Sequence, residues 1–418
     1  MCTLRTHKVT KIVKFITVGL YMRILLALFL LSFTLQAQSI NQLIQYATKK
    51  HTSLKSIQHR LSSMDQQLEK SQKWDNPDIS LTVNDIQFRK PLSRSEERMQ
   101  NQAINVKQKF PWFGKLDARK NIVLEEKHVV IHTLEAAQVA LAYNIRTTSY
   151  TIKELQERIR IIHKYMQLAK QNIKLYTDYI SVDSMSHANS VIAELSLSKL
   201  EIRAERYISI LKSQKEKLRY LVQKRVDKIS DKLKMKKPKS LKYYLAGIRK
   251  NPNYHRKLAL SDMAHANKSL IDLDKHPDPY VQVGYFNRTD YPDYASVTVG
   301  VSLPIYGTEE LNSEIAQKEA LIRQSESLDY KFLIKSQIRE NYAKLTEAYT
   351  IYNILQHKSL PQLNHMLELS SSAIEEGADL FTYTSILEQK LALEEERIAI
   401  MAESMRTLAK LKSLTGVK

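Results

Sequence analysis

Apolar and polar residues follow two different periods along this chain. In four short segments they alternate. "NPDISLTVNDIQF" begins at Asn76, and a second segment carries Ile104, Val106, Gln108 and Phe110 at every other place. "HPDPYVQVGYFNR" begins at His276, and in "ASVTVGVSLPI" Val297, Val299, Val301 and Leu303 point one way while Ser296, Thr298, Gly300 and Ser302 point the other. A period of two is the mark of a strand. Strands are expected at about 77–88, 99–110, 278–288 and 295–305. Elsewhere the period is helical: Ile122, Leu124, Val129, Val130, Leu134, Val139, Leu141 and Ile145 recur among charged residues as a coiled-coil-like seam. Long helices are expected at about 115–178, 189–222, 309–374 and 380–414. Shorter helical pairs are expected at 39–73 and 241–275, each broken near its middle ("KKHTSLKS", "RKNPNYHR").

These elements occur in one order, twice. Residues 38–222 read helix, helix, strand, strand, long helix, long helix, and residues 241–418 read the same, with a basic linker at 223–240 between them. A tandem repeat of this kind decides architecture more strongly than local propensity does. At ~1.5 Å per residue, helices of sixty-odd residues reach roughly 95 Å, about three times the hydrocarbon thickness of a bilayer, and they are too polar to lie in it. Pro361 interrupts the third long tract and is expected to kink or divide it.

The strands carry a different message. Apolar and polar faces alternating over about ten residues are the signature of a transmembrane β-barrel, although a strand of a soluble sandwich reads the same way. Four strands cannot close a barrel, which takes at least about eight. Open strand edges are too costly to leave in lipid. If these strands cross a membrane, several chains must share one barrel, and three copies would supply twelve strands. The fold class expected is thus an α+β membrane protein: a long α-helical barrel continuous with a transmembrane β-barrel, built from two tandem repeats.

Composition sharpens this picture. The chain has 8 Gly and 10 Pro in 418 residues, too few breakers for anything but long elements. From Met22 the sequence "MRILLALFLLSFTLQAQS" reads as an export signal, with a basic residue, a short apolar run and Leu35-Gln36-Ala37 before a mature start near Gln38. Residues 1–37 are therefore assigned as a signal peptide, with Met1 and Met22 both open as starts; a membrane anchor is the competing reading of the apolar run. The single cysteine, Cys2, precedes the cut, so no disulfide and no lipid-bearing cysteine is expected afterwards. The formal charge of +20 is spread along the helices without a nucleic-acid-binding module, and no nucleic-acid partner is expected. The dense run "KRVDKISDKLKMKKPKSLK" from Lys224 reads as a solvated linker or surface element.

Between strand and long helix there is no loop in either repeat. The first junction is Pro111-Trp112-Phe113-Gly114 and the second is Pro304-Ile305-Tyr306-Gly307. Proline ends the strand ladder because it has no N–H to donate. Aromatics such as Trp112 and Phe113 suit a membrane–water boundary, and in the second junction the aromatic before the glycine is Tyr306. Gly114 and Gly307 permit the sharp change of backbone direction into the helix.

The signal peptide, the duplicated plan, the "QKFPWFGK" junction and the closing "RTLAKLKSLTG" together resemble the TolC-type outer-membrane efflux family, over about Ser39 to Gly416. The Pro-Trp-Phe-Gly-Lys junction is similar to that of its heavy-metal (Cus/Czc-type) branch. The resemblance implies a homotrimer in outer-membrane lipid, with its helical part in the periplasm. It also implies a periplasmic adaptor protein and an inner-membrane pump, commonly of the resistance-nodulation-division class. The lipidated cysteine frequent in the metal branch is absent here and is not carried over.

The resemblance places the breaks between paired long helices at a periplasmic tip that gates the duct. The residues there are Asp178, Asp183, Glu375, Glu376, Gly377, Asp379 and Glu388. Glu388, in Ile386-Leu387-Glu388-Gln389, best matches the acid of a constriction ring, whereas its first-repeat counterpart is Asn189 or Glu194. Gathered by three-fold symmetry, such carboxylates would repel one another or hold cations. The competing reading is that they sit on solvated helix ends, which favour acids. His128 and His132, four apart, could share a metal, but two ligands on one helix face make an incomplete site. No phosphate loop, nucleophile turn or carboxylate pair in a cleft is legible, so neither an enzyme nor a cofactor is expected. The function expected is a passive exit duct for heavy-metal cations, organic compounds or secreted polypeptides. A structural coiled-coil surface protein is the rival from another class.

Overall fold

The computed structural model describes residues 38–179, 184–375 and 380–418. The assigned signal peptide lies outside them. In chain order the elements are α1 (Ile40–Lys50), α2 (Thr52–Ser71), β1 (Asp78–Asn84), β2 (Asn101–Lys109), α3 (Lys115–Tyr179) and α4 (Ser184–Val222). An extended segment leads to α5 (Leu241–Ala246), a 3-10 turn (Gly247–Lys250), α6 (Pro252–Leu273), β3 (Pro279–Asn287) and β4 (Tyr294–Val301). Then come α7 (Thr308–Ile354), a π turn (Leu355–Ser359), α8 (Leu360–Glu375) and α9 (Leu380–Leu414).

Local chemistry explains several boundaries. Ser39 caps α1 with a reciprocal box: its hydroxyl accepts from the Gln42 N–H while the Gln42 side chain accepts from the Ser39 N–H at 2.8 Å. Asn251 caps α6 through the Tyr254 N–H at 2.9 Å, and Pro252 at the first position has no donor to waste. Pro361 sits where the third long tract is divided into α7 and α8 by the π turn. It stands in the first turn of α8, directly after the π turn, where the Leu360 N–H already reaches back to the Leu355 carbonyl. The wider turn accommodates the ring and the missing donor.

The chain forms two compact units. One holds the described residues up to His51 together with Leu141–Pro238 and Ala343–Lys410; the other holds Thr52–Ala140, Lys239–Tyr342 and Leu411–Lys418. The first is helical, apart from the extended segment. Ile162, Leu200, Leu387 and Leu391 belong to an apolar cluster in it, and Ile162 is fully buried. Each such side chain contributes about 1.5–3 kcal/mol.

The second unit contains the sheet, four antiparallel strands in the order β1-β2-β3-β4. The two hairpins come from different repeats and meet at β2 and β3. The pairing sets Ile79 against Val106, Leu81 against Ile104, Val106 against Val283, Ile104 against Tyr285, Val281 against Val299 and Val283 against Val297. Because side chains alternate along a strand, this register gathers the valine, leucine and isoleucine residues of all four strands on one face.

Candidate functional site

The apolar face of the sheet is bare. Leu81 is 79 %, Val299 71 % and Ile79 70 % exposed, and Val106 and Val283 are also exposed. A continuous apolar surface of this kind on a folded unit marks contact with lipid or with another chain. The opposite face is mainly polar: Asn105 Nδ2 donates to Thr82 Oγ1 at 3.3 Å, and the Lys107 ammonium lies 4.1 Å from the centre of the Tyr280 ring. It also carries a stacked aromatic pair, Phe286 on Tyr294 at 4.7 Å. β1 and β4 each have one paired side among the described residues and so present open edges. Among the described residues no helix is long and apolar enough to cross a membrane.

The second strand of each repeat, β2 or β4, leads into its long helix through the expected proline and glycine. Gly114 has φ +84° and Gly307 φ +72°, left-handed values that glycine alone adopts freely. After Pro111, the Trp112 N–H donates to Asp278 Oδ1 at 2.7 Å, and the Trp112 ring stacks on His276 at 5.5 Å. Phe113 stands 87 % exposed, as does Tyr306 of the second junction. Pro304 is half-buried, and the Ile305 N–H donates to the Leu303 carbonyl, closing a tight turn before Gly307.

The residue after Gly114 holds the first junction together. Lys115 is 3 % exposed. Its ammonium lies 2.8 Å from Asp278 Oδ1 and 3.2 Å from Asp274 Oδ1, and it donates to the His276 carbonyl at 3.0 Å. One buried lysine thus fastens the start of α3 to the segment that enters β3, some 160 residues later. The second junction has Thr308 at the equivalent place, where no such cation exists.

Of the tip candidates, Glu388 lies on α9 with an exposed side chain, and its carboxylate accepts a hydrogen bond from the hydroxyl of the buried Ser196 on α4. Asp178 and Glu375 occupy the ends of α3 and α8; their side chains lie outside the described residues. Asp183, Glu376, Gly377 and Asp379 lie outside them altogether. Glu194 is exposed on α4. His128 and His132 do not converge: each faces its own acid, Glu125 at 3.1 Å and Glu135 at 3.0 Å, and the His132 ring stacks on His255 at 5.2 Å.

A polar network in the helical unit was not visible in the sequence. Arg158 Nη2 donates to Glu154 Oε1 at 2.9 Å and Arg158 Nη1 to the Tyr207 hydroxyl at 3.0 Å. The Tyr207 hydroxyl donates to Glu395 Oε1 at 3.1 Å, Arg203 binds Glu395 Oε2 at 2.8 Å, and Arg406 binds Glu154 Oε2 at 2.5 Å. Three helices, α3, α4 and α9, are joined by it. Burial first, and then the neighbouring Glu395, hold the Tyr207 phenol above its ordinary range, so it remains a donor. Burial works against the Arg158 charge, but Glu154 and Tyr207 outweigh it and hold the guanidinium above its usual value.

With this geometry in hand, comparison with known proteins places the fold. Residues 43–181 match a family model described as outer membrane efflux protein. No curated protein matches the chain. The solved outer-membrane channel OprN superposes with a TM-score of 0.77 at 13 % identity, covering 91 % of this chain and 90 % of its own. The open state of the Neisseria gonorrhoeae MtrE outer membrane channel gives 0.75 at 13 %, covering 90 % and 89 %. CusC, described by its conformational changes on folding and transmembrane channel formation, gives 0.73 at 12 %, covering 92 % and 96 %. These likenesses do not favour one branch over another. Over about nine-tenths of its length, the chain is built on the fold of outer-membrane channels.

Proposed function

We propose that this chain is an outer-membrane efflux protein, the passive exit duct of a tripartite system. Three copies contribute four strands each to a twelve-stranded barrel in outer-membrane lipid, and the long helices continue into the periplasm as a helical tube. An adaptor protein and an inner-membrane pump, of the resistance-nodulation-division class, supply cargo and energy. The observation that carries this reading is the register-matched apolar face of the sheet, which ends in two open edges and whose strands β2 and β4 lead through the short connections 110–114 and 302–307 into long helices. In lipid such edges must be paired by sister strands, because unpaired backbone groups find no water there. A coiled-coil surface protein has no use for such a sheet.

The gate is proposed at the helix tips, with Glu388 as its described member and Asp178, Asp183, Glu375, Glu376, Gly377 and Asp379 around it. Heavy-metal cations are the proposed cargo on the strength of the Pro-Trp-Phe-Gly-Lys junction; organic compounds and polypeptides are the alternatives. Conductance of the purified protein in planar bilayers tests the duct, and silence there overturns it. Glu388→Ala is expected to raise basal conductance severalfold and to weaken block by divalent cations. Unchanged values would remove Glu388 from the gate.

A further inference from the structure

The extended segment between α4 and α5 is more than a tether. It is pinned along one side. Ile229 is buried and bridges to Gln38, with the Ser230 N–H donating to the Gln38 carbonyl at 3.0 Å and the Gln38 N–H to the Lys228 carbonyl at 3.1 Å. Asp231 Oδ2 accepts from the Ile40 N–H at 2.7 Å, and Leu233 packs against the apolar cluster of Ile162 and Leu200. Ile229, Asp231, Leu233 and Met235 are turned toward the protein, so the alternate residues are turned away. Those residues include Lys228, Lys232, Lys234 and Lys236, with Lys237 beside them, and all five are exposed. Alternate side chains on an extended backbone stand about 7 Å apart, so Lys232, Lys234 and Lys236 form a straight row.

The row lacks local neutralisation. Asp227 is engaged by Arg225 at 3.0 Å and Asp231 by a backbone N–H, and none of the five lysines makes an ion pair among the described residues. Lys153 of α3 joins the same field. Burial holds its ammonium below the ordinary lysine range, Glu157 and Asp231 resist, and Lys228 and Lys232 push it further down. A self-repelling row held rigidly in place is relieved by an anion that lies along it.

The row's chemistry limits what that anion can be. It is one-dimensional, so it suits a chain-like polyanion rather than a compact phosphate, which calls for converging donors. From Lys228 to Lys237 there is no aromatic on which a nucleic-acid base could stack. Lysines acting as separate point charges suit separate carboxylates.

We propose that this lysine row docks the carboxylate-bearing peptidoglycan of the cell wall. The proposal rests on the periplasmic placement of the helices. The test is sedimentation of the full-length, detergent-purified protein with purified cell-wall sacculi. Wild type is expected to pellet at low salt and to be released at about 0.5 M salt, where the Debye length falls to a few ångström. Replacing Lys228, Lys232, Lys234, Lys236 and Lys237 by Gln, with circular dichroism unchanged, should weaken binding about tenfold or more. Replacing the same five by Arg should keep it, and amidating the sacculus carboxylates should abolish it for wild type. Pelleting that ignores the glutamine replacements or the amidation overturns the proposal. So does preferential binding to phosphatidylglycerol vesicles or to DNA. The glutamine variant should conduct like wild type in planar bilayers. A chain that conducts but ignores sacculi sinks the docking row alone, whereas loss of conductance in wild type sinks the duct.

Discussion

Gly114 shows how one residue can govern an architecture. An added Cβ there would meet only Leu273 Cδ1, at an ordinary 3.7 Å, so space does not exclude a side chain; the φ of +84° does. Gly114→Ala is expected to cost about 1–2 kcal/mol, seen as a lower unfolding temperature of the purified protein. Asp272 offers a second test. It accepts from Lys268 Nζ at 2.5 Å and from Ser313 Oγ at 2.5 Å, tying α6 to α7. These two hydrogen bonds, Lys268 first, hold its carboxyl below the ordinary value of 3.8. A depressed native pKa means the unfolded chain binds the proton more readily. The stabilisation is therefore complete above that ordinary value and is lost as pH falls through the lower native one. Asp272→Asn should flatten the acid limb of the stability profile below about pH 4 and leave its slope near pH 7 unchanged; an unaltered acid limb would count against this reading. Lys115 was in view as part of the junction motif, but its role was not legible. Its partners Asp274 and Asp278 lie in the other repeat, and nothing near Lys115 in the sequence points to them.

At the scale of elements, the two periods of the hydrophobic pattern were the readable part. Strand alternation fixes which face is apolar, and the observed pairing keeps that alternation in step across all four strands. The pairing of β2 with β3, which joins the repeats, was not readable, because strand neighbours are chosen by tertiary packing. The network of Glu154, Arg158, Tyr207 and Glu395 was hidden for a different reason. Charged residues on long helices look solvated in sequence, and only the approach of α3, α4 and α9 brings these together. A pair of substitutions separates the two sides of the sheet. Val299→Asp puts a charge on the proposed lipid face and should cost roughly 1–3 kcal/mol, with a matching loss of membrane-inserted protein. Thr298→Asp, on the opposite face, should insert nearly as well as wild type. Equal behaviour of the two would reverse the assignment of faces.

For the whole molecule, the repeat itself predicts how copies meet. Asn76-Pro77-Asp78 corresponds to His276-Pro277-Asp278, and Pro111 to Pro304. Inside one chain Gln108 pairs with Val281. Carried over by the repeat, that pair becomes Val301 of one copy opposite Leu81 of the next. Cysteines placed at both positions should therefore cross-link on mild oxidation into dimers and trimers on a denaturing gel, since the only native cysteine is Cys2. Each single replacement should stay monomeric there. Absence of cross-linked species in the double variant would refute the shared barrel.

The alternation within the strands also bears on how such a chain travels. Valines and leucines spaced two apart never build a long greasy stretch in an unfolded polypeptide. In these strands, a secretion pore that samples the chain in linear order would meet nothing worth releasing sideways into the first bilayer. The oily belt comes into being only when neighbouring strands line up, so the polypeptide would carry its membrane address in latent form and display it on arrival.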